Sequence, residues 1–364
     1  MSGNQVILAV LMCFGFIPQV FGQSGEIREK VTNFAKEIAR LLKDEKQNQV
    51  AISEFTGPPT PKTSAGPMIQ QILIEELGKL KVGINDDAFV FVGGNYFIVD
   101  NKAGALTVRI QMRVDTKSGK RIDEIVADIG FRGNDDLVKL LALNTDNTER
   151  LKSDRETVNE KLKEELKAPP LFIEATKVKT RSNSPYAIEI LSRKAGSGNA
   201  PKTLTPLNKN GQATVEVQRG DEYVIKIHNQ SNHEAAVSIT IDGVDAFQFY
   251  TPESNRPNVF LVPSKAFREI KGWSRGTENV SAFLVGSFAE GAANKALKGS
   301  STIGTITACF HPSWQGNKIP DEFAGGKDSG ASATGLGRDI KEKSELVPRT
   351  VGPLLEAVSI RYTK

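Results

Sequence analysis

The sequence predicts an α+β amino-terminal domain followed by an all-β, sandwich-like carboxy-terminal domain. Three observations carry that expectation. Apolar residues recur at helical spacing in residues 26–42 and 68–80, with short strand-like runs between and after them. Residues 215–250 instead alternate apolar and polar with a period of two, as half-buried strands do. Between these regions lies a charge-dense stretch, residues 134–170, closed by Ala168-Pro169-Pro170.

A chain of 364 residues is long enough for two modest domains. Residues 6–21 form an uncharged apolar run that is broken by Pro18 and too short to span a bilayer comfortably. Val20-Phe21-Gly22 ahead of Gln23 offers a processing site. Residues 1–22 therefore read as a cleaved signal, and the mature chain as exported, periplasmic or extracellular, with no stable membrane span. A retained anchor and a lipidated Cys13 are the alternatives. The residues before the run lack the usual Lys or Arg, and Met12 stands where a lipidated cysteine needs a small neighbour. Removing the signal leaves Cys309 as the sole thiol, so no internal disulfide is expected. Export without disulfides favours a bacterial envelope protein over a disulfide-dense secreted domain. The net charge of +4 is small and dispersed, which argues against a nucleic-acid partner.

Residues 23–133 supply the first domain. Ile27, Val31, Phe34, Ile38, Leu41 and Leu42 trace one face of an amphipathic helix. Residues 50–55 read as a strand, and 57–67 (GPPTPKTSAGP) as a loop before the second helix, whose first turn tolerates Pro67. That loop sits where a phosphate loop would, but Pro58, Pro59 and Pro61 lack N–H donors and Pro61 replaces the glycine needed before the lysine. A stiff connector is expected instead. Residues 88–99, 106–114 and 122–129 read as strands, the last two joined by a turn at Lys117-Ser118-Gly119-Lys120.

The pieces VAISEFTG, PMIQQILIEELGKLK, FVFVGGNYFIVD and TVRIQMRVDTKSGKRIDEIVADI cover roughly a third of the chain. This half resembles the envelope α/β domain of curli-secretion lipoproteins, penicillin-binding-protein activator lipoproteins and the amino-terminal domain of the TolB translocation protein. Asp115-Thr116-Lys117-Ser118-Gly119-Lys120 is similar to the turn of that family's closing hairpin. The resemblance implies a non-enzymatic domain that binds proteins or helps assemble envelope complexes. It carries over no catalytic residues. Because Met12 departs from a lipobox, lipid anchoring and pore formation are not carried over.

Residues 134–170 are expected to form a mobile, charged linker, with an exposed helix near 154–166. Residues 171–364 then hold about ten short strands separated by Gly, Pro and Asn. Asp242-Gly243 between apolar runs is a strong signal for a two-residue hairpin. Residues 316–343, rich in Gly and Ser, read as a flexible insert.

Polar groups in this half fit no known catalytic or metal spacing. His228 and His233 read as exposed turn histidines, Arg219-Gly220-Asp221 as a β-turn, and Cys309 as a buried small hydrophobe. No catalytic, cofactor-binding or metal-ligating residues are assigned. Trp273, Trp314 and Tyr250 are the candidate ligand-facing residues. Exposed aromatics beside polar groups suit a polysaccharide or cell-wall ligand, whereas a tryptophan capping a sandwich edge is the structural alternative. An envelope or extracellular protein is the partner expected first.

Overall fold

The computed structural model describes residues 25–58, 63–100, 106–130, 134–148, 155–251, 258–277, 279–285, 304–316, 319–323, 331–336 and 346–363. The expected export signal, residues 59–62 of the proline loop and much of the 316–343 insert lie outside them. The architecture is mostly β, with sandwich-like sheets and an amino-terminal helix. Among the described residues no helix is long and apolar enough to cross a membrane.

The chain opens with α1 (Gly25–Asp44), β1 (Gln49–Thr56), α2 (Ala65–Lys79), β2 (Gly83–Ile84), β3 (Val90–Asp100), β4 (Leu106–Thr116) and β5 (Arg121–Gly130). These strands form one sheet in the order β2-β1-β3-β4-β5. β1 runs parallel to β2 and β3, which the α2 crossover permits, while β3, β4 and β5 form an antiparallel meander. Both helices bury their apolar stripes on one face: Val31, Phe34 and Ile38 of α1 and Ile69, Leu73 and Leu77 of α2 meet Val50, Val92, Ile110 and Met112 of the sheet. The opposite face is solvent-exposed and mixes Phe97 and Val126 with charged residues, including the Arg109–Asp128 ion pair at 2.7 Å.

Residues 134–170 depart from the expected linker. They contain α3 (Asn134–Leu141), β6 (Thr145–Asp146) and α4 (Arg155–Lys167). Leu137, Leu140 and Leu141 lie at i, i+3 and i+4, so one turn of α3 delivers all three to the first core; Leu162 and Leu166 of α4 join them. The surrounding charge does not prevent the burial of this stripe.

The remaining strands are β7 (Phe172–Glu174), β8 (Lys177–Lys179), β9 (Tyr186–Lys194), β10 (Lys202–Thr203), β11 (Leu207–Lys209), β12 (Gln212–Glu216), β13 (Asp221–Asn229), β14 (Glu234–Ile241), β15 (Val244–Asp245) and β16 (Val259–Val262). After them come β17 (Ala266–Ile270), β18 (Gly272–Ser274), β19 (Val280–Leu284), β20 (Thr305–Trp314), β21 (Ala331–Leu336), β22 (Leu346–Val351) and β23 (Glu356–Thr363). They build two sheets. One follows the path β18-β19-β13-β9-β8-β7, with β10 on β9 and β17 on β13. The other runs β11-β12-β23-β20-β22-β21-β16-β14-β15, with β6 on β23 and a further β14–β20 pairing. Part of the expected insert is therefore a strand, β21, antiparallel to β22.

A second core fills the space between these sheets. Ile188, Ile225 and Ile227 come from one side; Val237, Ile239, Ile306, Phe310 and Val358 come from the other. β13 and β14 belong to different sheets, so the turn between them carries the chain across the sandwich. The hairpin signal is realised one turn later: Asp242 (φ 53°) and Gly243 (φ 78°) form the two-residue link from β14 to β15. The outer face of the β20–β23 pair is covered as well, because Cys309 and Ala357 belong to the first core.

Candidate functional site

The three aromatic candidates are not gathered into one cleft. Tyr250 is only 2% exposed and packs edge-on to Phe247, so it faces the second core rather than a ligand. The turn after β15 folds these two rings inward. Trp273, on β18, is half-buried, with Phe249 and Phe283 edge-on to its ring at 5.4 and 5.3 Å. Trp314 ends β20 in the other sheet, where it stacks on Phe323 with ring centroids 6.1 Å apart. Each tryptophan packs against the second core.

The histidines differ from the expected exposed turns. His228 is buried on the outer face of β13, its Nε2 2.5 Å from Glu189 Oε2, and the Thr176 hydroxyl donates to the other carboxylate oxygen. Burial pushes the His228 pKa below its ordinary value, against the pull of Glu189. His233 is half-buried, 2.7 Å from the Tyr186 hydroxyl, and burial also lowers its pKa. His311 is enclosed between β20 and α3. Its Nδ1 donates to the Gly352 carbonyl at 3.1 Å, and its Nε2 lies 3.6 Å from Asp135. Cys309, two residues earlier on β20, is fully buried and burial pushes its thiol up to about 12. It is a packing residue, protonated at neutral pH. Among the described residues no group of three or more His, Cys, Asp or Glu side chains is placed to hold a metal ion.

Two surface features escaped the sequence reading. The first is an apolar sheet edge. β17 and β19 both pair with the same side of β13, and they expose Phe267 (57%), Val280 (54%) and Leu284 (55%). Lys226 lies 4.1 Å over the Phe267 ring. In the sequence these residues look like ordinary inward members of short strands; only the sheet order shows that they point outward.

The second is a small polar cleft where the α3–β6 connection meets the outer face of the β12–β23–β20 strands. Leu143, Asn144, Pro169, Gln212, Thr305, Ser359 and Arg361 contribute to its wall. Register sets the polar row: Arg361 lies opposite Thr214 on one neighbour and Thr305 on the other, and Ser359 lies opposite Thr307. The alternation in SIRYT, with Ser359 and Arg361 on one face and Ile360 on the other, was the available signal. No protein-family model matches the chain, and no curated protein matches it.

Proposed function

We propose that this is an exported, non-enzymatic protein of the bacterial envelope that acts by binding a protein partner. It combines an α+β amino-terminal domain with an all-β sandwich domain, and the edge strand β17 with the outer face of β19, which lies between β13 and β18, is its recognition surface. The exposed Phe267, Val280 and Leu284 carry this reading. Large apolar side chains held in solvent on an edge strand and on the sheet face beside it suit a partner that adds a strand and buries aromatic and aliphatic anchors. Among the described residues β17 pairs only with β13, so its other side offers backbone donors and acceptors for such an addition. The uncharged run at residues 6–21 supports export, and the resemblance of the first half to envelope α/β domains supports the compartment.

A photo-crosslinking amino acid at Phe267 is expected to capture one defined envelope protein, and the same probe at exposed Lys117 is expected to capture none. Capture that survives Leu284→Asp and Val280→Asp unchanged overturns the edge as the surface. Fractionation of the chain with the cytoplasm overturns export.

A further inference from the structure

We propose that the cleft between the α3–β6 connection and β23 is a binding site for a small carboxylate, with Arg361 as its counter-ion. This site is separate from the sheet edge and stands whether or not that edge binds a protein.

The first observation is an uncompensated cation. Arg361 is half-buried in the cleft wall, and no carboxylate among the described residues forms an ion pair with it. Burial draws its pKa down, and the Tyr96 phenol supplies the opposing pull. A partly desolvated guanidinium without a carboxylate is an unusual arrangement, because burial of charge is normally matched by a partner. The Asp242 carboxylate, which meets the Thr305 backbone, is occupied by the Gly304 and Thr305 N–H groups and the Tyr362 hydroxyl.

The second observation is independent of charge. Thr305 is 3% exposed, lines the cleft, and its Oγ1 has no hydrogen-bond partner among the described residues. Other polar groups of the wall are engaged. Asn144 donates to the Pro170 carbonyl at 2.9 Å and accepts from the Ser359 N–H at 2.7 Å, while the Ser359 and Thr307 hydroxyls bond each other at 2.9 Å. Gln212 also has a partner. What remains unspent is a guanidinium and a hydroxyl, both able to donate, and no acidic residue lines the cleft.

Donors without acceptors select an anion. The cleft is shallow: its interior has room for about one water-sized atom, so it takes a single oxygen of a carboxylate whose remaining atoms stay at the open mouth. A planar fork also matches the guanidinium in the bidentate way that a carboxylate offers. The carboxylate could belong to a free small acid or to the end of a peptide.

Titration of the isotopically labelled full chain separates these cases. The Arg361 Nε–Hε resonance, assigned by its loss in Arg361→Lys, is expected to shift saturably with acetate and not with chloride at equal ionic strength. If N-acetylglycine binds more tightly than acetate and N-acetylglycinamide does not bind, a peptide terminus is the ligand; equal affinity of the two acids points to a free acid. Thr305→Val keeps the shape of the side chain and is expected to weaken binding about tenfold, the loss of one charge-assisted hydrogen bond. A linear shift identical in acetate and chloride overturns the site. So does unchanged affinity in Thr305→Val. The wild-type titration alone decides the matter if a variant fails to fold.

Discussion

The Ser184 hydroxyl donates to the Glu356 carboxylate across 2.7 Å, at the residue where β23 begins. Thr180 donates to the same oxygen, while the second oxygen, Oε1, has no partner among the described residues. Glu356 is fully buried, and among the described residues no ion pair reaches it; the adjacent Arg181 pairs with Asp146 at 3.0 Å. Burial pushes the carboxyl up to about 7, and the two hydroxyl bonds offset only part of the effect.

This shift makes stability fall as pH rises. The folded carboxyl holds a proton that the unfolded one releases near 4.5, so its contribution is complete below that value and is lost as pH climbs through about 7. The loss is about 3 kcal/mol in total. Glu356→Gln keeps the acceptor for Ser184 and Thr180 and removes the titration. Urea unfolding of both proteins between about pH 5 and about pH 8 is expected to show the wild type losing ground steadily to the variant. A constant difference across that range would show that the buried carboxyl does not carry the proton.

A second prediction concerns the hairpin tip. Asp242 Oδ1 accepts from the Gly304 and Thr305 N–H groups at 2.6 and 2.8 Å, and Oδ2 accepts from the Tyr362 hydroxyl at 2.8 Å. Asp242→Ala strands these donors where water is scarce and is expected to cost about 3–5 kcal/mol in denaturant unfolding. Gly243→Ala acts differently. Its φ of 78° disfavours a side chain, and a new Cβ would lie 2.6 Å from Met68 Cβ on α2. Combining it with Met68→Gly removes the struck Cβ but not the turn strain, so the double variant should lose less than the sum of the two single variants.

The hairpin tip also marks how far the sequence was legible. Asp242-Gly243 specified its turn by local chemistry, and the alternation at Ile225 and Ile227, then Val237 and Ile239, specified which faces are buried. Period two cannot report which sheet a strand joins, because either side of a sandwich buries the same kind of residue. The crossing from β13 to β14 was therefore invisible, and so was the outward placement of Phe267 and Leu284. Glu356 was equally opaque: a glutamate opening a strand reads as a surface charge until Ser184 and Thr180, far away in the chain, are placed beside it.

Leu140 tests whether residues 134–170 belong to the folded core. It is 1% exposed and packs in the first core, where a linker residue would be solvated. Leu140→Ala is expected to lower the unfolding free energy by about 2–5 kcal/mol, the range for truncating a buried leucine. A change below about 0.5 kcal/mol would return the segment to the status of a connector.

Cys309 offers a readout of that same interface. It sits on the outer face of β20, opposite α3, and is fully enclosed with its thiol pushed up to about 12. Reaction with a thiol reagent needs the thiolate and an approach path, and the folded chain provides neither. In a Cys13→Ser background, labelling is expected to follow opening of the α3–β20 contact, slow in native buffer and complete in denaturant. Leu140→Ala should accelerate it, because loosening α3 uncovers the thiol without unfolding the sandwich behind it. Rapid labelling of the wild type would mean that α3 does not stay on the sheet. Labelling that tracks global unfolding equally in both proteins would mean that helix and sandwich open together as one cooperative unit.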